Sequence, residues 1–274
     1  MRVLAINDVS CVGKCSLTVA LPVISACGIT CDILPTAILS THTSGFKNYT
    51  FLDFSSQIPP LLKQWKALGL QYDCICSGYL GNVDQIEMVR QIKREFLKED
   101  GIFIVDPVMG DGGALYPHFP PSYPQKMAEL CKEADYILPN LTEASFLADV
   151  KYEEKDVQVE KLMKILSATR TCPVLTGIEK GNTISVAYLE NGKISQYTTP
   201  LVEGYFHGAG DVFCAAFCGV LLTTKSLDKA IRYSADFTKQ AIERTKGVQG
   251  HEARYGLFYE EELYYLLKRL HEKN

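Results

Sequence analysis

Short apolar runs rich in β-branched residues alternate with longer segments of helical period along most of this chain, and that alternation leaves few folds open to it. Runs at 2–6, 31–39, 73–77, 102–105, 135–138 and 172–176 end in polar or turn-forming residues and read as strands. Between them, apolar residues return every three or four positions over about 15–27, 56–69, 83–98, 121–133 and 156–169. That spacing predicts helices, with Pro22 forcing a kink or a late start in the first. Strand, helix, strand makes a βαβ unit, so the sheet should be mostly parallel and the class α/β. After residue 176 the period changes: 183–188 and 193–198 flank Glu190-Asn191-Gly192, a hairpin signal that predicts an antiparallel edge. Further helices are expected at about 211–223, 227–245 and 259–271. With 274 residues, 47% of them hydrophobic, and no repeat or linker, the chain is expected to form one domain over 1–274.

A formal net charge of −4 argues against a nucleic-acid partner, because displacing counterions from phosphates takes clustered Lys and Arg. The opening apolar run, Val3 to Ile6, is too short for a signal segment or a membrane span, so a cytoplasmic protein with no membrane partner is expected. Ten cysteines lie mostly inside apolar runs and read as reduced core residues. None forms a Cys-x-x-Cys, and no His pair at ligand spacing completes a zinc site.

Ligands of open α/β sheets bind beyond the carboxyl ends of the strands. By that rule Asn7-Asp8, Ser40 to Gly45, Ser77-Gly78-Tyr79, Asp106, Asn140 and Thr176-Gly177 converge on one rim. The sharpest local feature is His207-Gly208-Ala209-Gly210-Asp211 running into the apolar Val212 to Phe217. Bare backbone amides at a helix start can hold phosphate oxygens, and Asp211 beside them could accept a proton from an attacking hydroxyl. Equally, Asp211 could do no more than cap the helix. Asp106 and Asp111, five apart on the loop Asp106-Pro107-Val108-Met109-Gly110-Asp111-Gly112-Gly113, could hold Mg²⁺ directly or through waters, or sit solvated on a turn. Asn140 and Glu143 could serve phosphate and metal water, or close a capping box. Gly13-Lys14-Cys15-Ser16 fails as a P-loop, since position 8 is Asp and position 15 is Cys. The Gly-rich Gly208-Ala209-Gly210 fails as a dinucleotide fingerprint, since position 213 is Phe.

Three motifs occur in order: Asp106-Pro107-Val108-Met109-Gly110, Pro139-Asn140-Leu141-Thr142-Glu143 and Gly208-Ala209-Gly210-Asp211. Together they resemble the ribokinase superfamily. Ser77-Gly78-Tyr79-Leu80-Gly81 and Ser40-Thr41-His42-Thr43 make the likeness closest to its pyridoxal kinase branch. The resemblance implies a ribokinase-like three-layer α/β/α sandwich with a mostly parallel central sheet and an antiparallel edge hairpin. It implies ATP-dependent phosphorylation of the 5′-hydroxymethyl of a B6 vitamer, with Asp211 as general base and Gly208, Ala209 and Gly210 as the anion hole. Asp106 and Glu143 would organise Mg²⁺, and Asn140, Glu143 and Thr176 would lie along the nucleotide; His207, just before the glycines, could touch ATP phosphate or be a surface turn residue. His42, Thr43, Ser44, Tyr79 and Asp111 would surround the substrate. At the end of strand one Asp8 stands where many pyridoxal kinases place a Ser, and could accept from a ring hydroxyl or a protonated ring nitrogen. ATP and Mg²⁺ are the implied cofactors, a monovalent cation is an additional candidate, and a homodimer is the family's common assembly. Residues 110–120 are the candidate lid. Hydroxymethylpyrimidine kinase and a non-catalytic vitamer-binding protein are the alternatives.

Overall fold

The computed structural model describes residues 1–153 and 156–272. Contacts group the chain into two compact units, Met1–Phe54 with Thr199–Asn274, and Ser55–Thr198.

In the first unit, β1 (Arg2–Val12) buries four residues in succession, Val3 to Ile6, as a strand covered on both faces must. It pairs in parallel with β2 (Thr30–Thr41), and α1 (Leu17–Ala26) makes the crossover. The short β3 (Phe51–Asp53) lies antiparallel on β2. Pro22 is tolerated inside α1. Its missing N–H would have bonded the Thr18 carbonyl four residues back, and the Tyr259 hydroxyl donates to that oxygen instead, at 3.1 Å. α7 (Ala209–Thr224) is buried from Val212 to Leu222, which fits a segment apolar on every side. α8 (Leu227–Gly247), capped at Ser226, and α9 (Leu263–His271) complete the unit.

In the second unit, β4 (Tyr72–Ser77), β5 (Leu97–Val105), β8 (Tyr136–Ile137) and β9 (Cys172–Pro173) pair in parallel in that order. The helices are α2 (Ile58–Ala67), started by Pro59 and Pro60, α3 (Val83–Phe96), capped by Asn82, α4 (Tyr123–Cys131), α5 (Leu141–Leu147) and α6 (Asp156–Leu166). The expected hairpin forms as β11 (Thr183–Glu190) and β12 (Lys193–Pro200), and both turn residues, Asn191 and Gly192, have positive φ. With β10 (Leu175–Lys180) it makes a three-stranded antiparallel sheet, so the fold class is the mixed α/β one expected, mostly parallel with an antiparallel hairpin sheet. A smaller hairpin, β6 (Gly110–Asp111) and β7 (Ala114–Leu115), turns on Gly112 and Gly113.

Four expectations shift, the first being that β5 starts at Leu97 rather than 102. β1 runs six residues past Ile6, because the polar residues expected to end it find partners inside, so Asn7 and Asp8 lie within the strand. The run 172–176 divides: its first two residues join the parallel strands, whereas Leu175 and Thr176 open β10. The last helix begins at Leu263 rather than 259. All ten cysteines are free thiols, and Cys11 alone among them is exposed. No helix among the described residues is long and apolar enough to cross a membrane.

The contact of α1 with α7 depends on Gly219, where a Cβ would stand 2.5 Å from the Cys27 sulfur. Gly219→Ala should therefore cost about 1–3 kcal/mol in urea unfolding. Adding Cys27→Ala should recover most of it; a double variant no more stable than the single one would contradict this packing.

Candidate active site

In the first unit, α7 starts on Gly208, whose φ of +79° only glycine adopts easily. A side chain there would also run into the Lys14 carbonyl, and one on Gly256 would come within 2.5 Å of the same atom. The two glycines thus let the Gly13-Lys14-Cys15-Ser16 segment lie against the start of α7. Gly208 is the N-cap and no side chain caps the helix, so Asp211 in the first turn does not serve as its cap. Its carboxyl instead accepts from Asn7 Nδ2 at 3.5 Å, with the Ser16 backbone as a second favourable influence on its charge. Burial, then the neighbouring charge of Asp8, pushes it up to about 7, against the pull of those two groups. A carboxyl poised there is half ionised at neutral pH, which suits a general base.

Asp8 is 6% exposed, and burial raises its carboxyl. Ser16 Oγ donates to it at 2.6 Å and Ser10 Oγ at 3.0 Å. His42 Nε2 bonds the Arg254 carbonyl at 2.5 Å, and its ring stands 4.9 Å from Phe46 and 5.0 Å from His207. Burial, then His42, lowers His207 below the usual imidazole range, so it is neutral at physiological pH. Thr43, exposed, and Ser44, half-buried, continue the loop. The structure therefore gathers Asp8, His42, His207, Gly208 and Asp211 through direct contacts or chain adjacency. Asn7 joins them as the rim reading expected, whereas Ser10, Ser16 and Arg254 were not foreseen as site residues.

In the second unit, Asp106 follows β5, with its amide on the Ser77 carbonyl at 2.8 Å. Glu143 is 4% exposed and takes part in a full capping box: its amide donates to Asn140 Oδ1 and the Asn140 amide donates to Glu143 Oε2, both at 2.9 Å. The Met109 amide donates to its other oxygen at 3.1 Å. Burial raises this carboxyl to about 8, with Asp111 adding to the rise against three backbone amides. Asn140 Nδ2 donates to the Gly110 carbonyl, so the cap also pins the small hairpin on which Asp111 is exposed. Thr176 lies in β10, its amide and hydroxyl both on the Pro139 carbonyl. Tyr79 Oη is hydrogen-bonded to His118 Nε2 at 3.0 Å, and its ring faces Phe119 at 5.8 Å. Among the described residues no group of three or more His, Cys, Asp or Glu side chains is arranged to hold a metal. Mg²⁺ is commonly held by one or two carboxylates with waters and substrate phosphates, and Asp106 and Glu143 have that donor chemistry.

The profile of the phosphomethylpyrimidine kinase family matches residues 21–255. The chain belongs to this family. Its place is in the ribokinase superfamily, on the pyridoxal kinase branch, and it is a kinase. A crystal structure of pyridoxal kinase from Lactobacillus plantarum superposes with a TM-score of 0.91 at 30% identity, over 98% of this chain and 97% of that one. A Bacteroides thetaiotaomicron protein provisionally named phosphomethylpyrimidine kinase, crystallised with pyridoxal, gives 0.90 at 31% identity, over 100% and 96%. Pyridoxine kinase of Bacillus subtilis is 30% identical over 187 residues, 65% of this chain and 66% of that one. Aligned segments span 46% to 72% of the lengths of curated relatives.

The Asp211 carboxyl carries a testable signature. An unperturbed aspartate loses its proton near 3.9, whereas the folded chain holds this one to about 7. Between those values the native state binds more protons than the unfolded chain, so this group's contribution to stability falls as pH rises and levels off above 7. Asp211→Asn removes that loss. Its unfolding free energy relative to wild type should climb from pH 4 to 7 and then stay level, and a difference independent of pH would count against a perturbed carboxyl.

Proposed function

We propose that this kinase transfers the γ-phosphoryl group of ATP to the 5′-hydroxymethyl of a B6 vitamer, with the whole chain serving as one kinase domain. The observation that carries the reading is a carboxyl raised to about 7 in the first turn of a helix that opens on small residues. In the reaction, Asp211 takes the hydroxymethyl proton as that oxygen attacks the γ-phosphorus. The bond from phosphorus to the bridging oxygen breaks, and ADP leaves. Gly208, Ala209 and Gly210 would offer backbone amides and a positive helix terminus to the charge on the transferring group.

Asp106 and Glu143 would hold Mg²⁺, largely through its waters, and the ion would neutralise phosphate charge. Asn140 and Thr176 would flank the nucleotide phosphates. His207, neutral and next to Gly208, would lie at the γ-phosphate end. His42, Thr43, Ser44, Tyr79 and Asp111 would contact the vitamer. A monovalent cation, a homodimer and a cytoplasmic setting belong to the same reading. Likeness to structures of a pyridoxal kinase and of a protein crystallised with pyridoxal favours a B6 acceptor over a pyrimidine.

A coupled ADP-release assay with MgATP against pyridoxal, pyridoxine, pyridoxamine, hydroxymethylpyrimidine and ribose tests it. Turnover should be greatest on a B6 vitamer and fall about 10²–10⁴-fold in Asp211→Asn, the usual worth of general base catalysis. Preference for the pyrimidine would move the substrate while leaving the chemistry, and no turnover on any alcohol would leave a vitamer-binding protein.

A further inference from the structure

Tyr79 follows β4 and is half-buried, and its hydroxyl is hydrogen-bonded at 3.0 Å to Nε2 of His118, 39 residues further along the chain. The contacts around that bond close into a circuit. The His118 ring stands 4.2 Å from that of its neighbour Phe119, and Phe119 stacks on Tyr123 at 3.8 Å. Tyr123 in turn donates its hydroxyl to the carbonyl of Leu80, the residue after Tyr79, at 2.7 Å. Residues 118–123 thus hold Tyr79 twice, by its hydroxyl and through the backbone beside it. The two holds differ in kind. Phe119 is 6% exposed and Tyr123 is fully buried, so their contact is core packing. His118 is exposed and adds little to that core. What it adds is direction, because a hydrogen bond is directional and burial of apolar surface is not. The segment that presents it is itself fixed, with the Tyr116 amide on the Met109 carbonyl at 2.9 Å and the Phe119 amide on the Tyr116 carbonyl at 3.0 Å.

We propose that His118 is a positioning residue for the acceptor: by bonding the Tyr79 hydroxyl it sets the Tyr79 ring in place before the acceptor ring arrives. The inference deepens the reading of Tyr79 as an acceptor contact and rests on it. Aromatic rings attract over a limited range of offsets and tilts, so a ring left free to swing must be ordered on binding, and affinity falls. The Tyr79 hydroxyl is then a tether, and the ring is what meets the acceptor. His118 takes no part in the phosphoryl transfer, so its loss should be felt in acceptor binding rather than in the chemical step.

The test is calorimetric titration of pyridoxal into the full chain without nucleotide, for wild type, Tyr79→Phe, His118→Ala and the double variant. Each single change should weaken binding about three- to tenfold, the worth of one ordered side chain. The double variant should bind no more weakly than the weaker single one, because either change alone breaks the same bond. His118→Gln, whose amide reaches to about where Nε2 stands, should bind within about twofold of wild type. ADP affinity should hold in every variant, and in the ADP-release assay KM for pyridoxal should rise while kcat at saturation stays level, a split that a general loss of structure would not give. Pyridoxal binding in His118→Ala equal to wild type, or losses that multiply in the double variant, would overturn the proposal. The bond is also read without any ligand: the ¹⁵N shift of His118 Nε2 should change in Tyr79→Phe. An unchanged shift would overturn the proposal and leave the kinase reading standing. Undiminished pyridoxal binding by Tyr79→Ala would instead remove Tyr79 from the acceptor, and the proposal with it.

Discussion

Desolvation of the Asp211 carboxyl is the constraint around which the first unit is organised. A charge taken out of water favours its neutral form, and only specific donors oppose that drift. Here the opposing groups are few, Asn7 and the Ser16 backbone, while Asp8 adds a second negative charge nearby. The result is a carboxyl near 7 rather than near 4. Everything that presses the Gly13–Ser16 segment onto α7 contributes to this balance. That includes Gly208 and Gly256, whose missing side chains leave room for the Lys14 carbonyl. It also includes the rear support of α1, where Tyr259 makes good the hydrogen bond that Pro22 removes.

Glu143 in the second unit shows the opposite use of a buried acid. Three backbone amides lower it, from Asn140, Met109 and Gly110, yet burial still holds it at about 8. Its capping box fixes the start of α5 and, through Asn140, the β6–β7 hairpin, so one side chain both builds the fold and holds a carboxyl whose ionised form a phosphate-bound cation would favour. The two readings of Asn140 and Glu143 that compete in the sequence are therefore compatible in the structure. At Asp211 the competing readings are not compatible, since no side chain caps α7.

Periodicity and turn chemistry made most elements legible, because burial of apolar stripes and the Asn191-Gly192 turn are local matters. The hairpin and α3 fall within a few residues of their expected limits. Asn7 and Asp8 were misplaced for a physical reason: a polar run reads as the end of a strand unless its partners are known, and Ser10 and Ser16 have no local mark that distinguishes them from loop serines. Nothing local ties His42 to Arg254, 212 residues away. Thr176 reads as the end of a parallel strand because Cys172 to Thr176 is one apolar run, whereas the fold hands it to a second sheet. The acid at Asp211 was legible as a type of residue at a helix start. Its ionisation was not, because that depends on the density of protein around it.

The pH dependence of kcat/KM tests the central claim most directly. With MgATP and pyridoxal, the rate constant should fall tenfold per unit below a pH near 7 and be level above it, as protonation of Asp211 removes the base. The residual activity of Asp211→Asn should lack that limb. A wild-type profile level from pH 5.5 to 8, or the same limb in the Asp211→Asn variant, would contradict a buried aspartate as the group that takes the proton.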